Sequence, residues 1–161
     1  MSFAPKKILV PVDVAPIADR PLADRLVDDA VSFARAHDAG VTLLFVGAPM
    51  VSAPLVPEVQ DGAAHRAMLD VMEARNSASS RALQALVERA QAAGVNARSL
   101  VTMRAGGVPH VIVDVGAEEA CDLIVMTTHG RRGVRRLLLG SVAERVAHLA
   151  AIPVLLLPPA T

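Results

Sequence analysis

The chain has 161 residues, of which 53% are hydrophobic and 2% aromatic, which suits one domain with an aliphatic core. Sixteen basic residues balance sixteen acidic ones, which argues against a nucleic-acid-binding protein, because such proteins draw much of their affinity from excess positive charge. No apolar run is long enough for a membrane span, no secretory signal is clear, and the single Cys121 is consistent with the reducing cytoplasm.

The first part of the chain predicts two buried strands separated by a helix. Residues 6–13 (KKILVPVD) read as a strand that ends at Asp13, and residues 41–46 (VTLLFV) read as a second strand. Between them, apolar residues fall on one helical face from Leu22 to Ala34. Residues 47–64 contain three prolines and no clear periodicity, so this segment is predicted to be either a lid or disordered.

The second part of the chain continues the alternation of helices and strands. A long helix is predicted from about residue 65 to 93, with a possible break near the polar residues 76–80. The remaining predictions are an edge strand over 95–104, a helix with Pro109 in its first turn, a strand over 123–127, a glycine-containing loop, a helix over about 141–150 and a strand over 153–157.

This order of elements predicts an α/β fold with a parallel five-stranded sheet. Such open sheets bind ligands beyond the carboxyl ends of their strands, where the strand order reverses. Asp13 ends the first predicted strand and Thr127 ends the fourth. If these two strands are neighbours, the loop after Thr127 lies beside Asp13 and the two form a site.

The loop and the helix that follows it predict a site for a small anion. The loop contains Gly130, Gly133 and Gly140 together with a cluster of arginines, among which Arg131 and Arg132 are the first candidates for a phosphate contact. Residues 141–144 (SVAE) read as a capping box, in which Ser141 is the N-cap and Glu144 its partner. The amide N–H groups and the dipole of a helix N-terminus favour an anion.

The stretch from Gly130 through nine residues to Gly140-Ser141 closely resembles the phosphate-binding loop of the universal stress protein family. The resemblance covers nearly the whole chain, and residues 6–13, 41–46 and 121–158 are the stretches that match the family's strands and C-terminal block. It implies a single universal stress protein domain over residues 1–161. The implied fold is Rossmann-like (adenine nucleotide alpha hydrolase-like), with strand order 3-2-1-4-5 and helices on both faces.

The resemblance also implies a homodimer in which the last strand, from Pro153 to Leu157, pairs antiparallel with its copy. The sequence supports this pairing independently, because PVLLL would otherwise be an apolar strand at an exposed sheet edge.

In nucleotide-binding members of the family, ATP lies across the ends of the first and fourth strands, and Mg²⁺ or Mn²⁺ enters with the triphosphate. By resemblance, Asp13 holds the ribose or lies near the adenine, and Val41 and Met126 contact the adenine. The phosphates are contacted by Gly130, Gly140, Ser141 and Val142. The full set of candidate residues is Pro11, Val12, Asp13, Val41, Met126, Thr127, Gly130, Arg131, Gly133, Gly140, Ser141 and Val142.

One position departs from the family signature of Gly-x-x-Gly, nine residues, then Gly-Ser or Gly-Thr. Its first glycine is replaced here by Thr127, whose side chain either fills space needed by the nucleotide or donates a hydrogen bond to it. Two functions therefore stay open. One is an ATP-binding stress or signalling switch, and the other is a universal stress protein without nucleotide that acts as a dimeric protein-interaction module.

Several candidate residues also have purely structural interpretations. Asp13 could cap a turn, Ser141 could serve only as an N-cap, and the arginines could form a solvated surface. No Walker sequence, dinucleotide-binding fingerprint or nucleophile elbow occurs, and His129 has no evident acid or base partner. A sensor or switch therefore fits better than a fast enzyme, and any ATP hydrolysis is expected to be slow.

Overall fold

Strands and helices alternate throughout the part of the protein that the computed structural model describes, residues 3–14, 20–47, 62–128 and 140–158. In chain order these elements are β1 (Lys7–Pro11), α1 (Arg20–His37), β2 (Gly40–Val46), α2 (Gly62–Ala92), β3 (Ala97–Thr102), α3 (Val108–Glu118), β4 (Leu123–Thr127), α4 (Ser141–Leu149) and β5 (Val154–Leu157). None of the helices in these ranges is long and apolar enough to cross a membrane.

The five strands form one parallel sheet in the order β3-β2-β1-β4-β5. Alternate residues of β1 point to opposite faces: Ile8 and Val10 pack with α1 and α2, whereas Leu9 packs with α3 and α4. Because helices cover both faces, the central strands are apolar at nearly every position. The predicted α/β fold, its strand order and its helices on both faces are confirmed.

The predicted long helix is confirmed as α2. The possible break near residues 76–80 is absent, and the helix runs through them without interruption. Ser79 is buried there, and the Asn76 side-chain amide donates to the Met103 sulfur at 3.5 Å. Packing against the end of β3 thus outweighs weak local helix propensity. Most of the predicted lid or disordered segment lies outside the described residues.

Helix α3 packs closely against the sheet at Gly116. A Cβ atom added there would lie 3.6 Å from Leu9 Cδ2 and 3.8 Å from Ile124 Cδ1 and Ile152 Cδ1, which are ordinary contacts. We expect Gly116→Ala to raise the free energy of unfolding by up to about 1 kcal/mol, because alanine favours the helix. Gly116→Val should lower it by about 1–3 kcal/mol through overpacking. Urea denaturation monitored by circular dichroism gives the free energy of unfolding of each variant. Equal destabilisation by the two substitutions would contradict this packing.

Candidate functional site

Strands β1 and β4 are neighbours, and the strand order reverses between them. The pairing of β1 with β2 continues to Pro11, whereas its pairing with β4 stops at Leu9 and Ile124. The next rung toward β4 would need an N–H group at Pro11, which proline lacks. Val12 N–H donates to Leu44 O at 2.8 Å, so the chain beyond β1 stays with β2. Pro11 thus ends the β1–β4 ladder where such sheets bind ligands.

Helix α4 begins at the same edge of the sheet, which we call the carboxyl edge because the strands end there. Gly140 N–H donates to Thr128 O at 2.6 Å, directly after β4. The first helical bond joins Glu144 N–H to Gly140 O at 2.9 Å. The amides of residues 141–143 find no backbone acceptor among the described residues. An open helix N-terminus, with its amide donors and positive dipole end, is therefore held at this edge.

The predicted capping box is wrong. Gly140, not Ser141, is the N-cap, and no side chain caps the described end of α4. The reason is that the Gly140 carbonyl already accepts the first helical bond, so Ser141 is the first residue inside the helix. The Ser141 side chain is exposed and caps no amide of the first turn.

Several predicted residues do lie at the carboxyl edge. Pro11 ends β1 and is followed by Val12 and Asp13, whereas Thr127 ends β4. Asp13 is exposed and Thr127 is half-buried. The predicted residues that lie at this edge are Pro11, Val12, Asp13, Met126, Thr127, Gly140, Ser141 and Val142, of which Val12 and Met126 are buried.

Val41 is not part of this group, and its predicted ligand contact is wrong. It is buried and pairs with Ile8 and Ala97, at the amino end of β2. The opposite end of β2 is Val46, five residues further on and about 16 Å away along the strand. Val46 and Gly47 lie at the carboxyl edge instead. The direction of a parallel strand could have identified them from the sequence.

Three predicted residues, Gly130, Arg131 and Gly133, lie outside the described residues, as does the rest of the arginine cluster. Their predicted phosphate contacts stay predictions.

The turn between β3 and α3 also lies at the carboxyl edge. Gly106 and Gly107 adopt positive φ angles of 121° and 85°, which side chains other than glycine rarely tolerate. Beside them, Arg104 forms a two-pronged ion pair with Glu118, with Nη–Oε distances of 2.6 and 2.7 Å. Its hydrogen bond lowers the pKa of the Glu118 carboxyl. The Arg104 guanidinium is therefore paired with Glu118 of α3 in this structure.

The backbone amides at the start of α4 are donors that suit an anion. In the described ranges no group of three or more His, Cys, Asp or Glu residues could hold a metal ion. Mg²⁺ commonly enters a nucleotide site with the phosphates and does not need such a group. Cys121 precedes β4 at the opposite edge, and burial raises the pKa of its thiol, so it is not activated as a nucleophile.

The comparisons with known proteins agree with this geometry. Residues 5–158 match the Universal stress protein family. Universal stress protein MJ0531 of Methanocaldococcus jannaschii is 32% identical over 153 residues, covering 93% of this chain and 80% of that protein. The structure of universal stress protein UspA from Lactobacillus plantarum shares the fold, with a TM-score of 0.73 and 24% identity over 94% of this chain and 97% of that chain.

Two further structures with this fold contain adenine nucleotides. A universal stress protein from Archaeoglobus fulgidus in complex with dAMP has a TM-score of 0.62 and 22% identity, covering 96% of this chain and 98% of that one. An Arabidopsis thaliana member with AMP bound has a TM-score of 0.66 and 19% identity, covering 98% of this chain and 94% of that one.

Proposed function

This chain belongs to the universal stress protein family, and from that premise we propose that it binds ATP with Mg²⁺ at the carboxyl ends of β1 and β4. Occupancy of the site would act as a stress or signalling switch in the cytoplasm. The observation that carries the proposal is the N-terminus of α4, which has no side-chain cap among the described residues and which the Gly140–Thr128 hydrogen bond holds beside the end of β4.

The phosphates are assigned to the α4 end of the site. Three successive amides, of Ser141, Val142 and Ala143, can donate to phosphate oxygens without displacing a side-chain cap. The Ser141 hydroxyl adds a further donor. The arginines of the preceding loop would neutralise the additional charge of a triphosphate, and Mg²⁺ or Mn²⁺ would bind through the phosphates.

The nucleoside is assigned to the ends of β1 and β2. The Asp13 carboxylate can accept hydrogen bonds from ribose hydroxyl groups, and the apolar end of β2 at Val46 offers a surface for the base. Relatives of the same fold that contain AMP or dAMP support an adenine nucleotide as the ligand class. The choice of ATP rather than a monophosphate is based on the glycine and arginine pattern of the loop.

The switch would work by a shift in population. A nucleotide that binds only the arrangement in which α4 points its amides at the carboxyl edge stabilises that arrangement by its differential affinity. Binding and release, not turnover, would then carry the signal, with at most slow hydrolysis.

A thermal melt of nucleotide-stripped protein with and without ~1 mM Mg-ATP tests the proposal. A dissociation constant of ~10 μM would add about 2.7 kcal/mol of stability at that concentration. We expect the melting temperature to rise by roughly 5–10 °C. Tryptophan and tyrosine are both absent, so circular dichroism or a dye must report unfolding.

The other outcomes of the melt are equally informative. An equal shift with AMP would retain the adenine nucleotide but overturn the preference for a triphosphate. No shift with any adenine nucleotide would favour the dimeric protein-interaction module, with the Thr127 side chain closing the site.

We also propose a homodimer through β5, which is an edge strand of four half-exposed apolar residues. Pro153 O and Leu157 O accept from Ile124 N–H and Thr128 N–H at 3.0 and 2.9 Å. Since backbone groups alternate in direction along a strand, those of Val154 and Leu156 face outward. Antiparallel pairing would join Val154 to Leu156 of the second copy with four hydrogen bonds in all, placing Leu155 on the two-fold axis.

A further inference from the structure

We propose that nucleotide binding at α4 and pairing of the β5 edges favour each other through Thr128. The inference rests on the proposed nucleotide site and on the proposed dimer, and it adds the regulation of one by the other. A signalling protein with this coupling would report nucleotide concentration as a change in its oligomeric state.

Thr128 connects the two sites by hydrogen bonds from a single residue. Its N–H donates to Leu157 O at 2.9 Å, in the last rung between β4 and β5. Its carbonyl accepts from Gly140 N–H at 2.6 Å, at the start of α4. Because both groups belong to Thr128, its backbone angles must satisfy β5 and α4 together. A change in these backbone angles that breaks one of the two hydrogen bonds therefore also moves the group that makes the other.

The β5 side of this connection is the less secure one. The strand has four residues, none of them fully buried, and no described strand pairs with its outer edge. The Thr128–Leu157 bond is the last one that holds its carboxyl end. Strand ends with few buried contacts open first, so this rung is where β5 would detach from the sheet.

The position of the α4 amides also depends on Thr128. The helix carries no side-chain cap among the described residues, and the Gly140–Thr128 bond fixes where its amides lie. A phosphate bound to those amides would hold Gly140 and Thr128, and so keep Leu157 in the sheet with Leu156 ready to pair. A second copy bound to β5 would in turn hold Thr128 and pre-organise the amides. The coupling is therefore positive and reciprocal.

The test is the dimer dissociation constant, measured by analytical ultracentrifugation with and without saturating Mg-ATP. We expect Mg-ATP to lower this constant about five- to tenfold in the wild type, at the lower end of typical coupling. Thr128→Pro removes the N–H that reaches Leu157, and we expect the effect to fall below about twofold. Thr128→Ser keeps both that N–H and the side-chain hydroxyl, so its response should match the wild type.

A thermal melt of each variant with and without Mg-ATP distinguishes a failure of the coupling from a failure of the proposed function. If Mg-ATP raises the melting temperature but leaves the wild-type dimer constant unchanged, the coupling is wrong and the nucleotide site stands. If Mg-ATP changes neither quantity, the proposed function fails and the coupling fails with it. If Thr128→Pro binds Mg-ATP and still couples fully, the route through Thr128 is overturned.

Discussion

Gly140→Asp should abolish the rise in melting temperature that Mg-ATP causes, while the ligand-free protein melts at or slightly above the wild-type temperature. Gly140 has φ −62° and ψ 145°, an extended conformation that any residue adopts, so the substitution should not strain the backbone. Aspartate is a favoured N-cap, and its carboxylate would accept from the amides of the first turn. It would occupy the donors assigned to phosphate and repel the nucleotide.

The expected loss is large. A hundredfold weaker dissociation constant, from ~10 μM to ~1 mM, would leave about 0.4 kcal/mol of stabilisation at ~1 mM Mg-ATP. That corresponds to a shift of about 1 °C in place of 5–10 °C.

Gly140→Asn is the matched control, because asparagine caps the helix without adding charge. We expect it to melt like Gly140→Asp without ligand and to keep a larger share of Mg-ATP binding. A stable Gly140→Asp protein with wild-type nucleotide affinity would show that the phosphates do not bind at α4.

Leu156→Pro should convert the proposed dimer into a folded monomer. The Leu156 N–H faces away from β4 and is a donor for the proposed second copy, so its loss removes two of the four hydrogen bonds of a symmetric pair. Proline is tolerated on an edge strand when the missing N–H faces outward. Analytical ultracentrifugation gives the oligomeric state, and circular dichroism gives the fold.

Leu155→Pro and Leu156→Ala are the controls. The Leu155 N–H faces β4, so Leu155→Pro should break the ladder inside the monomer and lower its stability. Leu156→Ala keeps the outward N–H and should weaken the dimer without abolishing it. If Leu156→Pro remains dimeric, the proposed pairing of β5 edges is wrong.

The architecture was predictable because it depends on local patterns. Apolar runs such as residues 41–46 can be buried on both sides only in a parallel sheet covered by helices. Regular alternation of strand and helix patterns then leads to an α/β fold. The strand order came from resemblance to the family, because local patterns do not specify which strands are neighbours.

The departures from expectation have two different origins. Residues 76–80 are poor helix formers and made a break possible, yet α2 continues through them because Asn76 and Ser79 pack in the folded protein. Local propensity does not show such contacts. Val41, in contrast, was assigned to the adenine by resemblance alone. It begins the predicted second strand, so the direction of a parallel strand already places it at the amino end, away from the site.

The sequence alone therefore determined the type and order of the elements, and it located the candidate site at Asp13, Thr127 and Gly140. Only the tertiary structure decided that Gly140 rather than Ser141 is the N-cap residue of α4. It also decided that Pro11 ends the β1–β4 ladder and that Thr128 makes hydrogen bonds to both α4 and β5. The physical reason is that patterns of residue type report burial and local backbone preference. Hydrogen-bond partners, in contrast, depend on register, which is established only when separate segments of the chain meet.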